Sequence, residues 1–553
     1  MEKFNFKFSE WEEKAGDQPF LRQPFGNRWE TYTWKQAGQM ARKLATGLQS
    51  LGLPPGAHIG LVSRNCREWI IADLAIMMAG YVSVPLYPTL TGKQIAEVLR
   101  LGDVRALFVG KLENWEDMKT GVPKDMPLIA FPHYEGNSKI TEGHQWDAFI
   151  NQFEPLENEP ARDLDDTWTI IFTSGTTGTP KGVVLTFRNL ESTAIPTETG
   201  NPLKLARDGS DRFFSYLPLN HIAERILVEM TCLRYGGTIS FSESLATFAQ
   251  NLRDTRPTVF FAVPRIWTKF QLGILAKIPQ KKLDLYLKIP ILSSLIKKKL
   301  KAGLGLDKAR IYVSGAAPLP ESLWQWYNKI GIGITNGYGM TENCGITSYL
   351  PPEKHKPGAV GMAHIGTELR IDPETNEILM RAPYMMTGYY KDPDKTKEVL
   401  GGGWLHTGDQ GYLDEEGYLY ITGRVKDTFK TAKGQFIVPA EIEQYFTDNP
   451  DIEQICVVGL GCPQPLALIV PSEIGLAKPK ETLRESLNAT LKKANEKLPN
   501  YKRISTVVIV KDQWGVENDL LTPTLKVKRN KVSSRYRDLL NAWHEDHQEV
   551  VFE

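Results

Sequence analysis

The chain has 553 residues, too many for one ordinary core, so two or more domains are expected. Apolar residues make up 41% and charged residues 24%, a globular balance, and a net charge of +1 leaves no global field to recruit nucleic acid. Cys66, Cys232, Cys344, Cys456 and Cys462 lie without paired spacing, which excludes a zinc pattern or disulfide framework and points to a reducing, cytoplasmic compartment.

The opening MEKFNFKFSEWEEK has no apolar stretch, so no secretory signal is expected. No apolar run reaches the roughly 18 residues that a membrane-spanning helix needs. Thr33 caps a predicted helix carrying Trp34, Ala37, Ala41, Leu44, Ala45 and Leu48 at helical spacing, and Gly52 stops it. Residues 59–63 read as a buried strand, 69–80 as a buried helix and 82–87 as another strand. The rhythm returns at 168–173, 257–263 and 309–315. Strands alternating with helices predict an α/β fold with largely parallel sheets.

Between the last two strands lies a basic stretch, 277–301. It sets Lys277, Lys281, Lys282, Lys288, Lys297, Lys298, Lys299 and Lys301 among leucine and isoleucine. Two readings stay open: a solvated helical insert, or an amphipathic surface for peripheral membrane contact. Few aromatics interleave with the lysines, which argues against nucleic acid. From about 366 the texture changes to short strands and tight turns, a β-rich subdomain near 366–425. A boundary near 425 divides 1–425 from 426–553.

The segment TIIFTSGTTGTPKGVVLT (169–186) runs an apolar strand into glycines and hydroxyl residues. Thr173, Ser174, Gly175, Thr176, Thr177 and Gly178, followed by Lys181, supply backbone N–H groups, hydroxyls and a cation for phosphate oxygens. The spacing is not that of a Walker A loop. The plainer alternative is a turn between a strand and a helix. Gly315, Ala316 and Ala317 follow a strand, and side chains this small leave room for a flat purine.

SGTTGTPKG (174–182) resembles the phosphate loop of the adenylate-forming superfamily, which holds acyl-CoA synthetases, peptide-synthetase adenylation domains and luciferases. SYLPLNHIAER (215–225), VSGAAPL (313–319), NGYGMTE (336–342), GWLHTGDQGYLDEEGYLYITGR (403–424) and KDTFKTAKGQFIVPAEIE (426–443) agree, in the family's order. The resemblance implies a large N-terminal domain of layered αβ sheets with a small β-barrel, plus a smaller mobile α+β C-terminal domain. It implies ATP, Mg²⁺ and coenzyme A as cofactor and substrates.

It also implies roles. Glu342 and Thr173 would hold the metal, with Thr341 near the α-phosphate. Tyr338 would stand against adenine, beside Asn336, Gly337 and Gly339. Asp409 and Arg424 would take the ribose, and His221 would face the carboxylate. Lys426 would be the hinge, and Gly434 would line the thiol path. In LTPTLKVKR (521–529), counting from Thr524 gives Lys528 as the adenylation lysine, with Lys526 as its rival because the family's Ser-Gly marker is missing.

That block, FAVPRIWTKFQ (261–271) and GLVSRNCREWI (60–70) resemble the long-chain branch. The implied function is activation of a long-chain fatty acid to its acyl-adenylate, then transfer to coenzyme A. A fatty acyl-AMP ligase serving a carrier protein and a non-catalytic nucleotide-binding protein are the alternatives. The latter would tolerate loss of Glu342, Lys181 or the C-terminal lysine, and all are present.

Overall fold

The computed structural model describes residues 3–174, 179–522 and 526–553. An eight-stranded sheet carries the first alternating units. At its centre, Val82–Leu86, His58–Val62 and Val104–Val109 run parallel. The helix between the first two of these in sequence, Arg67–Met78, is buried along its whole length, so it reads as apolar on every side rather than as a stripe. Helix Trp34–Ser50 starts at Thr33, whose hydroxyl accepts from the Gln36 N–H while the Gln36 side chain accepts from the Thr33 N–H. This reciprocal cap satisfies two orphan donors and fixes where the helix begins.

A nine-stranded mixed sheet begins with Val259–Ala262, Ile311–Ser314 and Ile334–Tyr338 in parallel. It continues antiparallel through the short strands from Ser348–Leu350 to Tyr418–Arg424, so the β-rich segment extends this sheet. A third sheet joins Arg212–Ser215, Thr238–Phe241, Pro19–Phe25 and Arg28–Thr33. The C-terminal residues build their own four-stranded sheet, Ile452–Val458 with Leu466–Pro471, Val507–Ile509 and Val550–Phe552. Helix Lys480–Lys497 covers it with Leu483, Leu487 and Leu491.

Strand Thr167–Ser174 pairs antiparallel with Pro180–Thr186, so the described residues on either side of the phosphate loop form a hairpin, and the plainer alternative of a turn into a helix does not hold. The pairing sets Thr173 opposite Lys181. Gly175, Thr176, Thr177 and Gly178, and the side chain of Ser174, lie outside the described residues.

A buried charge cluster ties this hairpin down. Arg225 bonds Asp73 at 2.5 Å, Glu229 at 3.1 Å and the Thr169 hydroxyl at 2.8 Å, with all three charged side chains fully buried. Its guanidinium lies 4.4 Å from the centre of the Trp168 ring. Burial, then the neighbouring Asp73, pushes the Glu229 carboxyl well above the usual range, while Arg225 opposes that shift. The cluster joins helix Arg67–Met78, the strand leading to the phosphate loop and the π-helical turn Arg225–Met230.

Candidate active site

Parallel strands present ligands at their C-terminal ends. Here the register sets Ser314 beside Asn336, so Gly315 and the run from Asn336 to Gly339 lie side by side at one rim. Only glycine fits at 339, because a Cβ there would sit 2.1 Å from the Gly345 carbonyl oxygen. Ala316 takes a left-handed backbone, φ 65°, which re-aims the chain as it leaves the strand. Ala316 and Ala317 are exposed. The Ser314 hydroxyl and the Asn336 side-chain oxygen are buried, line the same cavity and have no partner among the described residues.

Tyr338, Asp409 and Arg424 form one unit. The Tyr338 hydroxyl donates to Asp409 at 2.6 Å, and the Arg424 Nε–H donates to its other oxygen at 2.8 Å. Asp409 is 8% exposed. Its charge, against some burial, holds the Arg424 guanidinium above its ordinary value. The strand pairing that sets Asp409 opposite Arg424 makes the clamp a consequence of register.

Thr341 and Glu342 are buried in a short turn after Tyr338. The Tyr389 hydroxyl donates to Glu342 Oε1 at 2.8 Å, and the Lys181 ammonium stands 5.4 Å from the centre of the Tyr389 ring. Burial and the nearby Lys395 and Lys426 lower the Lys181 pKa, while Glu342 opposes them. Tyr389 was not legible as a site residue: nothing in GYYKDPDK distinguishes it from a core aromatic.

His221 accepts the Ala223 N–H at Nδ1, 3.3 Å, which leaves the proton on Nε2. Burial, then the neighbouring Lys526, lowers its pKa to about 4, so the ring is neutral at physiological pH.

The two C-terminal lysines separate in space. Lys528 immediately precedes helix Arg529–Tyr536, and its ammonium bonds Asp519 at 2.5 Å. Burial alone would raise the Asp519 pKa, but hydrogen bonds from Lys528 and then Lys531 hold it low. Lys526 instead lies within electrostatic reach of Arg424, Asp409 and His221. Its side chain is open to the cleft, yet enough protein surrounds the ammonium to weaken its hydration, and that desolvation, then Arg424, lowers its pKa. Counting along the sequence put Lys528 first; the structure pairs Lys528 with Asp519 and brings Lys526, not Lys528, near His221, Asp409 and Arg424. Thr524, from which the count ran, lies outside the described residues.

Lys426 sits in the turn Val425–Asp427 that directly follows strand Tyr418–Arg424. Gly434, φ 74°, tips an exposed hairpin where a Cβ would meet nothing within 4 Å among the described residues, and it is not brought to the other site residues. Trp267 is fully buried in the core.

One cavity is lined by His221, Gly315, Asn336 and Gly339 and also by the apolar Ile226, Leu227, Met230 and Leu203.

Residues 8–390 match the family described as AMP-binding enzyme, and 426–548 match the AMP-binding enzyme C-terminal domain. Similar proteins include long chain acyl-CoA synthetase 6, peroxisomal, of Arabidopsis thaliana, 30% identical over 94% of this chain and 82% of that one. Fatty acyl-CoA synthetase A of Dictyostelium discoideum is 30% identical over 95% and 87%. Long-chain-fatty-acid–CoA ligase FadD15 of Mycobacterium bovis is 29% identical over 93% and 92%. Among solved structures, the adenylation domain of a carboxylate reductase from Mycobacterium chelonae superposes with a TM-score of 0.81 at 21% identity, covering 98% of this chain and 90% of that one. The anthranilate CoA ligase AuaEII in complex with anthranoyl-AMP gives 0.77 at 22%, covering 98% and 99%. With the family match spanning most of its length, the chain belongs to the AMP-binding enzyme family.

Proposed function

We propose that this AMP-binding enzyme activates a long-chain fatty acid with ATP and passes the acyl group to the thiol of coenzyme A. The observation that carries the reading is the cavity, in which Gly315, Asn336 and Gly339 and the apolar side chains of Ile226, Leu227 and Met230 line one continuous space. An alkyl chain fills such a channel, while the carboxylate end remains beside His221.

The unpartnered Ser314 and Asn336 oxygens fit the nitrogen edge of adenine, which supplies donors for them. Asp409, fixed by Tyr338 and Arg424, takes the ribose hydroxyls. Glu342, with Thr173, would hold Mg²⁺, which when bound screens the phosphate charge. Lys181 reaches the phosphates from across the hairpin. In the first half-reaction a fatty carboxylate oxygen bonds to the α-phosphorus and pyrophosphate leaves. Lys526 meets the negative charge that builds on the α-phosphate. His221 is neutral, so its Nε2–H orients the acyl oxygen without forming an ion pair. In the second half, the C-terminal domain turns about Lys426, Gly434 comes to line the thiol path, and the thiol attacks the acyl carbonyl as AMP departs.

Helices Gln280–Lys288 and Pro290–Leu304 support the membrane reading of 277–301. They leave Leu285, Ile289, Ile291 and Leu295 exposed, with Ile291 at 80%, among the lysines. Apolar side chains ringed by cations suit an anionic lipid surface, where fatty acids reside.

AMP release by the pure protein tests the reading. Release should require ATP, a long-chain fatty acid and coenzyme A together, and it should rise when the acid is presented in phosphatidylglycerol vesicles at low salt. Accumulation of acyl-adenylate that coenzyme A leaves unchanged would mean an enzyme that stops at the first half. Equal rates with neutral and anionic vesicles would remove the membrane surface.

A further inference from the structure

The cavity follows the helical run 222–235 from His221, and Arg234 and Tyr235 at the other end of that run line it as well. Phe4 and Phe6 line it together with Leu190, Arg234 and Tyr235. The sequence FNFKF alternates aromatic and polar residues, the pattern of an extended segment with one apolar face. That face is packed. Phe4 stacks against Phe187 with ring centres 4.4 Å apart, Phe6 lies 5.8 Å from Phe8, and Phe8 lies 5.4 Å from Trp34 in the core. Phe8 is fully buried.

The segment is also pinned by its backbone and its charge. The Phe4 N–H donates to the Arg162 carbonyl at 2.9 Å, and Lys3 bonds Asp163 at 2.6 Å. Arg234, which lines the cavity with them, is held by Glu191 at 2.6 Å and by Glu198 at 3.5 Å, so its charge is spent within the wall. An alkyl chain entering from His221 therefore meets aromatic rings on a fixed segment, beside a guanidinium that offers it nothing.

We propose that Phe4 and Phe6 form the floor of the acyl channel and set the longest fatty acid the enzyme accepts. This rests on the fatty-acid reading of the same cavity. The physical basis is that a methylene group forced against a packed ring must either displace the ring or remain outside the channel. Either outcome discriminates between neighbouring chain lengths by about tenfold or more.

The experiment compares kcat/KM across straight-chain saturated acids, from octanoate upward, for the native protein, for Phe4→Ala/Phe6→Ala and for Phe6→Trp. The double truncation should move the optimum to longer acids, raising the ratio of the next longer acids to the native optimum by about tenfold. Phe6→Trp, which adds bulk at the same floor and keeps the aromatic packing, should move the optimum to shorter acids. If the native protein uses fatty acids but both variants keep its length profile, or lose activity equally on every acid, the floor lies elsewhere and the proposal falls. If the double variant fails to fold, Phe6→Trp alone decides: a shortened optimum supports the floor and an unchanged one overturns it. A native protein that activates no fatty acid would instead sink the functional reading on which this rests.

Discussion

Lys526→Ala is expected to lower fatty-acid-dependent ATP–pyrophosphate exchange by about two to three orders of magnitude, the usual cost of removing a group that meets charge developing in the transition state. Lys528→Ala should stay within about fivefold of native, because it removes only a partly exposed ion pair with Asp519. The difference arises from position. Lys526 faces Asp409, Arg424 and His221, and has no side-chain partner among the described residues. Its ammonium is therefore free to be drawn onto an incoming phosphate. The second half-reaction provides the control. When synthetic acyl-adenylate and coenzyme A are supplied, Lys526→Ala should form thioester at close to the native rate, since no charge then builds on an attacked α-phosphate. Equal loss in both halves would indicate a collapsed site, and a larger loss for Lys528→Ala would reverse the assignment.

Glu342→Gln carries the second large effect. The carboxylate is buried, and one of its oxygens already accepts from Tyr389. The amide keeps the shape and the Tyr389 contact but gives up the charge that would hold Mg²⁺. Exchange should fall by on the order of a hundredfold or more, and the magnesium concentration for half-maximal rate should rise. Tyr389→Phe, which only removes the hydroxyl orienting that carboxylate, should cost about tenfold, in line with outer partners of metal ligands. An unchanged magnesium dependence in Glu342→Gln would remove the residue from the metal site.

The sequence carried the regular elements well, because their signals are local. Thr33 and Gln36 announce the start of helix Trp34–Ser50, and the largely apolar run 69–80 announces a helix buried on every face. The blocks around Glu342, Asp409 and Arg424 were also legible, since each is a contiguous run of small and polar residues: Glu342 just after strand Ile334–Tyr338, Asp409 within Leu405–Leu413 and Arg424 at the end of Tyr418–Arg424. What sequence could not supply depends on long-range pairing. The phosphate loop reads as a strand leading into a turn, and only the pairing of Thr167–Ser174 with Pro180–Thr186 makes it a hairpin. Counting from Thr524 favours Lys528, and only the ion pair with Asp519 sets Lys528 apart from Lys526. Arg225, Asp73 and Glu229 are far apart or unremarkable in the chain, yet they meet in a fully buried cluster. The alternation in FNFKF was visible, but its place in the lining of the cavity follows from the tertiary fold.

The central claim is a two-step transfer through an acyl-adenylate on one site. The most direct measurement incubates the protein with ATP, Mg²⁺ and palmitate in the absence of coenzyme A, quantifies enzyme-bound palmitoyl-adenylate by mass spectrometry, and then adds coenzyme A. Bound palmitoyl-adenylate should approach one per enzyme molecule and be converted on addition to palmitoyl-CoA and AMP in equal amounts. Palmitoyl-adenylate that forms and then persists after coenzyme A is added, or palmitoyl-CoA that forms with ADP instead of AMP, would contradict that claim.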